Sequence, residues 1–281
     1  MAAMFFGQYL LSKGVIDREA LIEAIERQRR SNLPLTELAV RKGYLEPRQE
    51  AAILARYRTS DAELAELCLD AGVLDRDQIE ELQAIQRSDW VRIGAALVAG
   101  GHLTRQQVEE HLEAFRRVER ESEQRLETDF RACRDPETVR TVVELTVFHL
   151  GRLTDEPIKL RRLSVNGGQL VRGRRRYVQK LVGDRELYVA LDLPPATASV
   201  VAQGLLGMPL DEDSEAAIDA VCECVNIIGG NACTRLETSG FKLRPEPPFS
   251  TLGDEPAGDV EYAVRAEVLA GEAEIDVQVF L

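Results

Sequence analysis

Histidine is nearly missing from this chain: His102, His111 and His149 are the only three, far apart and in no ligand pattern, which argues against a zinc enzyme. Cysteines are few and odd in number (Cys68, Cys133, Cys222, Cys224, Cys233), without paired spacing, so buried reduced thiols are expected rather than disulfides or a metal centre. No run approaches the roughly 18 consecutive apolar residues of a membrane helix, and the N-terminal "MAAMFFGQYLLSKG" has its first lysine after the apolar stretch, unlike a signal peptide. A cytoplasmic protein without membrane insertion is the expectation. Glycine-rich loops ending in Lys-Thr/Ser are lacking as well, which rules out a P-loop ATPase. Positive charge is in deficit: the net charge is −13, and both halves are acidic, with 18 basic and 22 acidic residues up to Leu126. Binding to a nucleic-acid backbone is therefore not expected.

What the sequence does have is a repeat. Gly14, Gly43, Gly72 and Gly101 recur at a constant step of 29 residues. Around them "FFGQYLLSKGVIDREALIEAIERQ", "PLTELAVRKGYLEPRQEAAILARY", "ELAELCLDAGVLDRDQIEELQAIQ" and "RIGAALVAGGHLTRQQVEEHLEAF" align. Each copy reads as a short apolar helix, a glycine able to take positive φ at its end, two residues more, and a polar cap such as Asp17 or Thr104 opening a second helix. Four helical hairpins result, and none can bury its apolar face alone, so they must stack.

This half resembles the MshEN-type repeats at the N-terminus of type II secretion and type IV pilus ATPases. In that family paired 24-residue motifs beginning Arg-Leu-Gly, ending in Gln and separated by five residues bind cyclic di-GMP; the 29-residue step is the same here. The ligand-facing positions depart from the pattern. Only the fourth copy keeps the leading arginine and glycine (Arg92, Gly94), and the closing glutamine survives as Gln28 and Gln86 but is Tyr57 and Phe115 elsewhere. An anionic dinucleotide needs arginine for stacking and phosphate pairing, so the resemblance implies the repeat architecture more strongly than the nucleotide.

A mixed-charge run, "RRVERESEQRLETDFRACRDPET", reads as a connecting helix, with a domain boundary between Leu126 and Pro136. Beyond it, Pro136 starts an amphipathic helix. "YVQKLVGDRELYVALDL" reads as a hairpin around Gly183-Asp184, "ATASVVAQGLLG" as a helix, and Ser214 to Thr238 as a long helix closed by Gly240. "VEYAVRAEVL" and "AEIDVQVFL" read as a final hairpin around Gly271, and "RGRRRY" (172–177) as a solvated hairpin tip, with docking of an acidic partner as the sharper alternative. Antiparallel strands beside segregated helices give an α+β domain with helices on one sheet face.

The long helix holds "ECVNIIGGN", an acid and an amide inside an apolar run. At 100° per residue, with Asp219 at zero, Glu223 falls at about +40°, Asn226 at about −20° and Gly230 at about +20°. Ala217, Val221, Cys224, Val225, Ile228 and Ala232 fall on the opposite side, where they can pack on the sheet. Periodicity alone allows both a solvated face and a site.

The run from Leu187 to Phe249 resembles the CheX branch of the CheC, CheX and FliY chemotaxis phosphatases. Their pattern is Asp or Ser, then Glu, then Asn at helical spacing, with a proline about 22 residues on; Asp219, Glu223, Asn226 and Pro248 match it, followed by "GGN". The resemblance covers roughly residues 137 to 281. It implies hydrolysis of the aspartyl phosphate of a CheY-type response regulator in trans. Asn226 would orient water and Glu223 would pair with a receiver lysine, while Asp219, Gly229, Gly230 and Pro248 lie where the partner docks. Mg2+ would come with the phosphorylated receiver, this chain having no cofactor of its own. One motif rather than two points to the CheX branch, whose members pair through strands into homodimers; after Pro136, Glu144 is followed by Phe148 and His149 rather than Asn.

The expected fold is therefore α+β overall: an all-α array of four helical hairpins (1–126) followed by a CheX-like domain (127–281). The alternative is a non-catalytic scaffold or sensor that docks receivers and binds cyclic di-GMP or a protein through the repeats. A secretion or pilus accessory role rests on the N-terminal resemblance alone.

Overall fold

The structure, a computed structural model, describes residues 4–60, 62–154, 156–165, 169–256, 260–270 and 273–281. The chain divides into two units, Met4–Arg120 and Glu121–Leu281.

In the first unit each repeat is a seven-residue helix followed by a longer one: α1 (Phe6–Ser12) and α2 (Arg18–Ser31), α3 (Leu35–Arg41) and α4 (Pro47–Thr59), α5 (Leu64–Asp70) and α6 (Arg76–Asp89), α7 (Ile93–Ala99) and α8 (Arg105–Ala132). The four repeat glycines have φ between +62° and +76°. Each ends its short helix in the same paired-bond turn: Gly14 N–H donates to Leu11 O, and Val15 N–H reaches back to Leu10 O. That turn satisfies the last carbonyls, and the left-handed residue it needs is glycine. Asp17 and Asp75 then cap the following helices, accepting from the backbone N–H of Ala20 and Gln78 at 2.8 Å.

The repeats do not stack in simple chain order. Copies one and four share one core, built on Leu10, Ala24, Ala96, Leu97 and Phe115, and copies two and three share another, built on Leu35, Ala39, Ile53, Leu67 and Leu82. Polar crosslinks repeat the same exchange. Gln28 Nε2 donates to Val91 O at 3.0 Å, and Gln86, two repeats later, donates to Leu33 O at 2.9 Å. His102 meets Glu23 just as Tyr44 meets Glu81.

The second unit holds α9 (Pro136–Thr154), α10 (Pro195–Leu206), α11 (Glu215–Thr238) and an antiparallel sheet of β1 (Ile158–Val165), β2 (Arg175–Gly183), β3 (Glu186–Leu193), β4 (Leu243–Pro245), β5 (Phe249–Thr251), β6 (Ala263–Ala270) and β7 (Ala273–Phe280). The order is β1-β6-β7-β3-β2-β4, with β5 also paired to β2. The expected hairpin β2–β3, helix α10 and long helix α11 are present, as is the pairing of β6 with β7. The turn at Gly271 lies outside the described residues. Helices α9 and α11 lie on the sheet, and α10 packs on both of them. By length and composition α11 could cross a membrane, yet half of its apolar window is buried and its apolar side packs on the sheet.

The expectation for "RGRRRY" is corrected. Tyr177 enters the core, and Arg176 is fully buried on the other sheet face, bidentate to Asp192 through two 2.7 Å bonds. Gln278 also donates to Asp192, and Arg174 and Arg265 both meet Asp276. Strand register places Arg176 directly opposite Asp192, and Asp276 beside Asp192 on β7, so the basic run is drawn inward by carboxylates distant in sequence. Burial pushes the Asp276 carboxyl above its ordinary range, against the opposing pull of Arg265 and Arg174.

Removing one member of a buried ion pair leaves the other charge uncompensated. Arg176→Ala is therefore expected to cost about 3–5 kcal/mol in denaturant unfolding, most of it recovered when Arg176→Met is combined with Asp192→Leu. At the start of α9, partial burial raises the Asp135 carboxyl, but bonds from Thr138 and the Arg185 guanidinium outweigh it and hold it below its usual value. A depressed carboxylate stabilises above its unfolded pKa and loses that contribution as pH falls through the folded one. Acid melts below about pH 4 should thus show a shallower loss of stability in Asp135→Asn than in wild type.

Candidate functional site

The site is set by the way α11 lies on the sheet. Ser214 opens the helix, its hydroxyl accepting from Ala217 N–H at 3.2 Å. Ala217, Val221, Cys224, Val225, Ile228 and Ala232 are all buried in the core below it. The opposite stripe carries Asp219 and Glu223, both exposed, with Asn226 and Gly230 half-buried. Glu223 and Asn226 touch one another: Asn226 Nδ2 donates to Glu223 Oε2 at 3.2 Å.

The other end of the Asn226 carboxamide is held from the sheet. Gln179 on β2 is fully buried; its Nε2 donates to Asn226 Oδ1 at 2.6 Å and to Glu246 O at 3.0 Å. Glu246 is pinned in turn by its N–H to Lys180 O at 2.8 Å. It begins the short link between β4 and β5, which pair with β2 on either side of Gln179: Leu181 is opposite Pro245 and Val178 opposite Phe249. Pro248, half-buried, ends that link. The motif asparagine and the downstream proline thus belong to elements that converge on one residue of β2.

Gln179 is the residue that sequence reasoning missed. Its signal was present: it sits between Tyr177 and Leu181 on the helix-facing side of β2, both core residues, so a carboxamide there needs a partner. The expectation for Gly229 is corrected. It is not open to a partner's approach, since it is buried and a Cβ on it would fall 1.9 Å from Gln179 Oε1. It lies about 60° round the helix from Asn226, on the side that meets β2. Gly230, by contrast, has open space where a Cβ would be. Asn231 Nδ2 contacts Nε2 of buried His149 at 2.9 Å, so the second asparagine ties α11 to α9.

Burial pushes the Cys222 thiol up to about 11 and that of Cys224 to about 12, so neither supplies a thiolate nucleophile near neutral pH. In the repeat unit the two nucleotide candidates differ in setting. Arg92 is exposed at the start of α7, whereas Gly94 is buried, with Val108 and Phe6 where a side chain would go. A surface cleft of about 410 Å³ on this unit is lined instead by Gln83, Gln86, Arg87 and Trp90.

A helix laid over an antiparallel sheet defines the class of protein, a helix-on-sheet α+β domain, and the outer side of that helix presents a half-buried carboxamide beside a carboxylate. Residues 177–266, less than half of the chain, match the family described as chemotaxis phosphatase CheX. Similar solved structures include a CheX from Desulfovibrio desulfuricans, at 18% identity over 51% of this chain and 97% of that one, with a TM-score of 0.44. Another is the CheX–CheY–BeF3–Mg2+ complex from Borrelia burgdorferi, at 20% identity, 51% and 97% coverage, and a TM-score of 0.42. A third is FliY from Thermotoga maritima, at 18% identity, 52% and 90% coverage, and a TM-score of 0.38. No curated protein matches the chain.

The Gly229 contact predicts a stability effect. Gly229→Ala should lower unfolding stability by about 1–3 kcal/mol, since it overpacks against a fixed side chain. In a Gln179→Ala background, denaturant melts should show most of that loss gone.

Proposed function

We propose that the C-terminal unit is a phosphatase that hydrolyses the aspartyl phosphate of a CheY-type response regulator in trans. The observation that carries this reading is the Asn226 carboxamide, half-buried and held between Glu223 and Gln179, inside the segment that matches the CheX family. The division of labour that goes with it is a repeat array over residues 1–126 and a catalytic domain over 127–281, meeting the receiver in the cytoplasm.

An acyl phosphate is already activated, so its hydrolysis needs chiefly a water held in line with the scissile bond. The water oxygen attacks phosphorus, the bond to the aspartyl oxygen breaks, and the carboxylate leaves with the electron pair. An amide can donate and accept at once without being a strong base. With one Nδ2 hydrogen on Glu223 and one Oδ1 lone pair on Gln179, Asn226 keeps a second hydrogen and a second lone pair for water and phosphoryl oxygen. Glu223, exposed one turn away, supplies the charge-assisted contact that sets docking register with a receiver lysine. Asp219, Gly230 and Pro248 border the same approach. Mg2+ would be brought by the receiver to offset charge on the phosphoryl group; among the described residues no three His, Cys, Asp or Glu side chains converge to hold it here. The Borrelia burgdorferi CheX structure contains CheY, BeF3 and Mg2+, the kind of partner and ion this reading invokes.

The test is the decay of phosphorylated receivers from the same cell. Asn226→Ala should slow catalysed decay by about 100-fold or more, as expected when an orienting hydrogen-bonding group is lost. Glu223→Ala should act mainly through a raised KM. Decay curves that coincide for wild type and both variants would sink the reading.

A further inference from the structure

We propose that Gln179 is the positioning residue of this site: it decides which end of the Asn226 carboxamide faces the reaction. This deepens the phosphatase reading and rests on it.

An asparagine side chain can turn by half a rotation about its last bond, exchanging donor and acceptor. Here the choice is made by a relay that starts from the backbone. Glu246 O can only accept, so the Gln179 atom 3.0 Å from it must be Nε2. That nitrogen has a second hydrogen, aimed at Asn226 at 2.6 Å, so the Asn226 atom facing it must be Oδ1. Nδ2 is then turned to Glu223 Oε2 at 3.2 Å, where a carboxylate can only accept. Two acceptor-only groups, one at each end of the chain, thus fix two amides in one orientation each.

The surroundings are built around this arrangement. Gln179 is fully buried among core residues, and its Oε1 lies where a Cβ on residue 229 would be, so the helix carries glycine at the point of contact. Oε1 accepts no hydrogen bond among the described residues. A hydrophobic residue at 179 would fill the space without leaving that acceptor unsatisfied. What glutamine adds over leucine is a pair of donations, one to Glu246 O and one to Asn226 Oδ1.

The experiment uses the full-length chain. Gln179→Leu keeps volume and removes both donations. It should lower kcat for receiver dephosphorylation about tenfold to a hundredfold, with KM within about twofold of wild type and a native melting temperature. Gln179→Glu places a carboxyl between two acceptors, where only its protonated form can donate. Its single O–H can serve only one of the two acceptors at a time, so activity should be partial at low pH and fall further as pH rises through the pKa of the introduced group, a limb absent from the wild-type profile. A side-chain amide NMR spectrum supplies a readout independent of catalysis: both signals of the Asn226 NH2 pair should move in Gln179→Leu toward the shifts of a freely rotating, solvated carboxamide. Wild-type kcat in Gln179→Leu beside an inactive Asn226→Ala would overturn the positioning role while leaving the phosphatase reading intact. Full activity in Asn226→Ala would overturn the water-orienting role of Asn226 on which this proposal rests. In that case the NMR pair decides alone whether Gln179 orders the Asn226 amide, and an unchanged pair in Gln179→Leu overturns that too.

Discussion

The rotation of α11 about its own axis is the constraint on which the site depends. Seven apolar side chains from Ala217 to Ala232 must be buried in the core, and that requirement fixes which way every other residue of the helix points. Glu223 and Asn226 straddle the outward stripe, at about +40° and −20°, and Gly229 lies further round on the Asn226 side, at about −80°. Asn226 rather than Glu223 is therefore the residue turned toward β2 and able to meet Gln179. Glu223 is exposed to solvent, while Asn226 is held from the sheet by Gln179. On the function proposed above, that difference in burial is what would separate a docking group from an orienting one.

The repeat unit obeys a different constraint. A seven-residue helix is too short to be stable in isolation, so each is held by its glycine turn on one side and a core shared with another copy on the other. Because the first copy shares its core with the fourth and the second with the third, no single repeat accounts for the packing. Gln28 and Gln86 serve this exchange by donating to backbone carbonyls two repeats away from one another, and Gly94 serves it by admitting Phe6 and Val108. Of the positions at which this sequence still resembles nucleotide-binding repeats, Gln28, Gln86 and Gly94 serve packing, while Arg92 is exposed.

What could be read from the sequence was what is local or periodic. The four glycines with positive φ, the capping aspartates, the hairpin at Gly183 and the two faces of α11 all follow from patterns within one or two turns of chain. What could not be read depends on strand register. "RGRRRY" looks solvated because its partners, Asp192 and Asp276, come from β3 and β7, and only their placement beside Arg176 makes burial of a guanidinium tolerable. Gln179 looks like an ordinary strand residue until β4, β5 and α11 are assembled around it. The pairing of copies one and four was hidden for the same reason: similarity along a chain says which units are alike, and not which of them touch.

Buried polar groups on the two faces of this sheet contrast in a way that bears on function. On the face away from the helices, Asp192 takes two bonds from Arg176 and one from Gln278, and Arg176 extends to Asp254 O: each charge meets several partners, and the result is structural. On the helix face the chain of bonds from Glu246 through Gln179 to Asn226 and Glu223 ends at the surface with capacity left over, one hydrogen and one lone pair on a single carboxamide. A network closed on itself can only stabilise or specify a fold. One that ends in an oriented, unsaturated amide at a half-buried position is ordered before any ligand arrives, and that prior ordering is what a water-positioning group must supply.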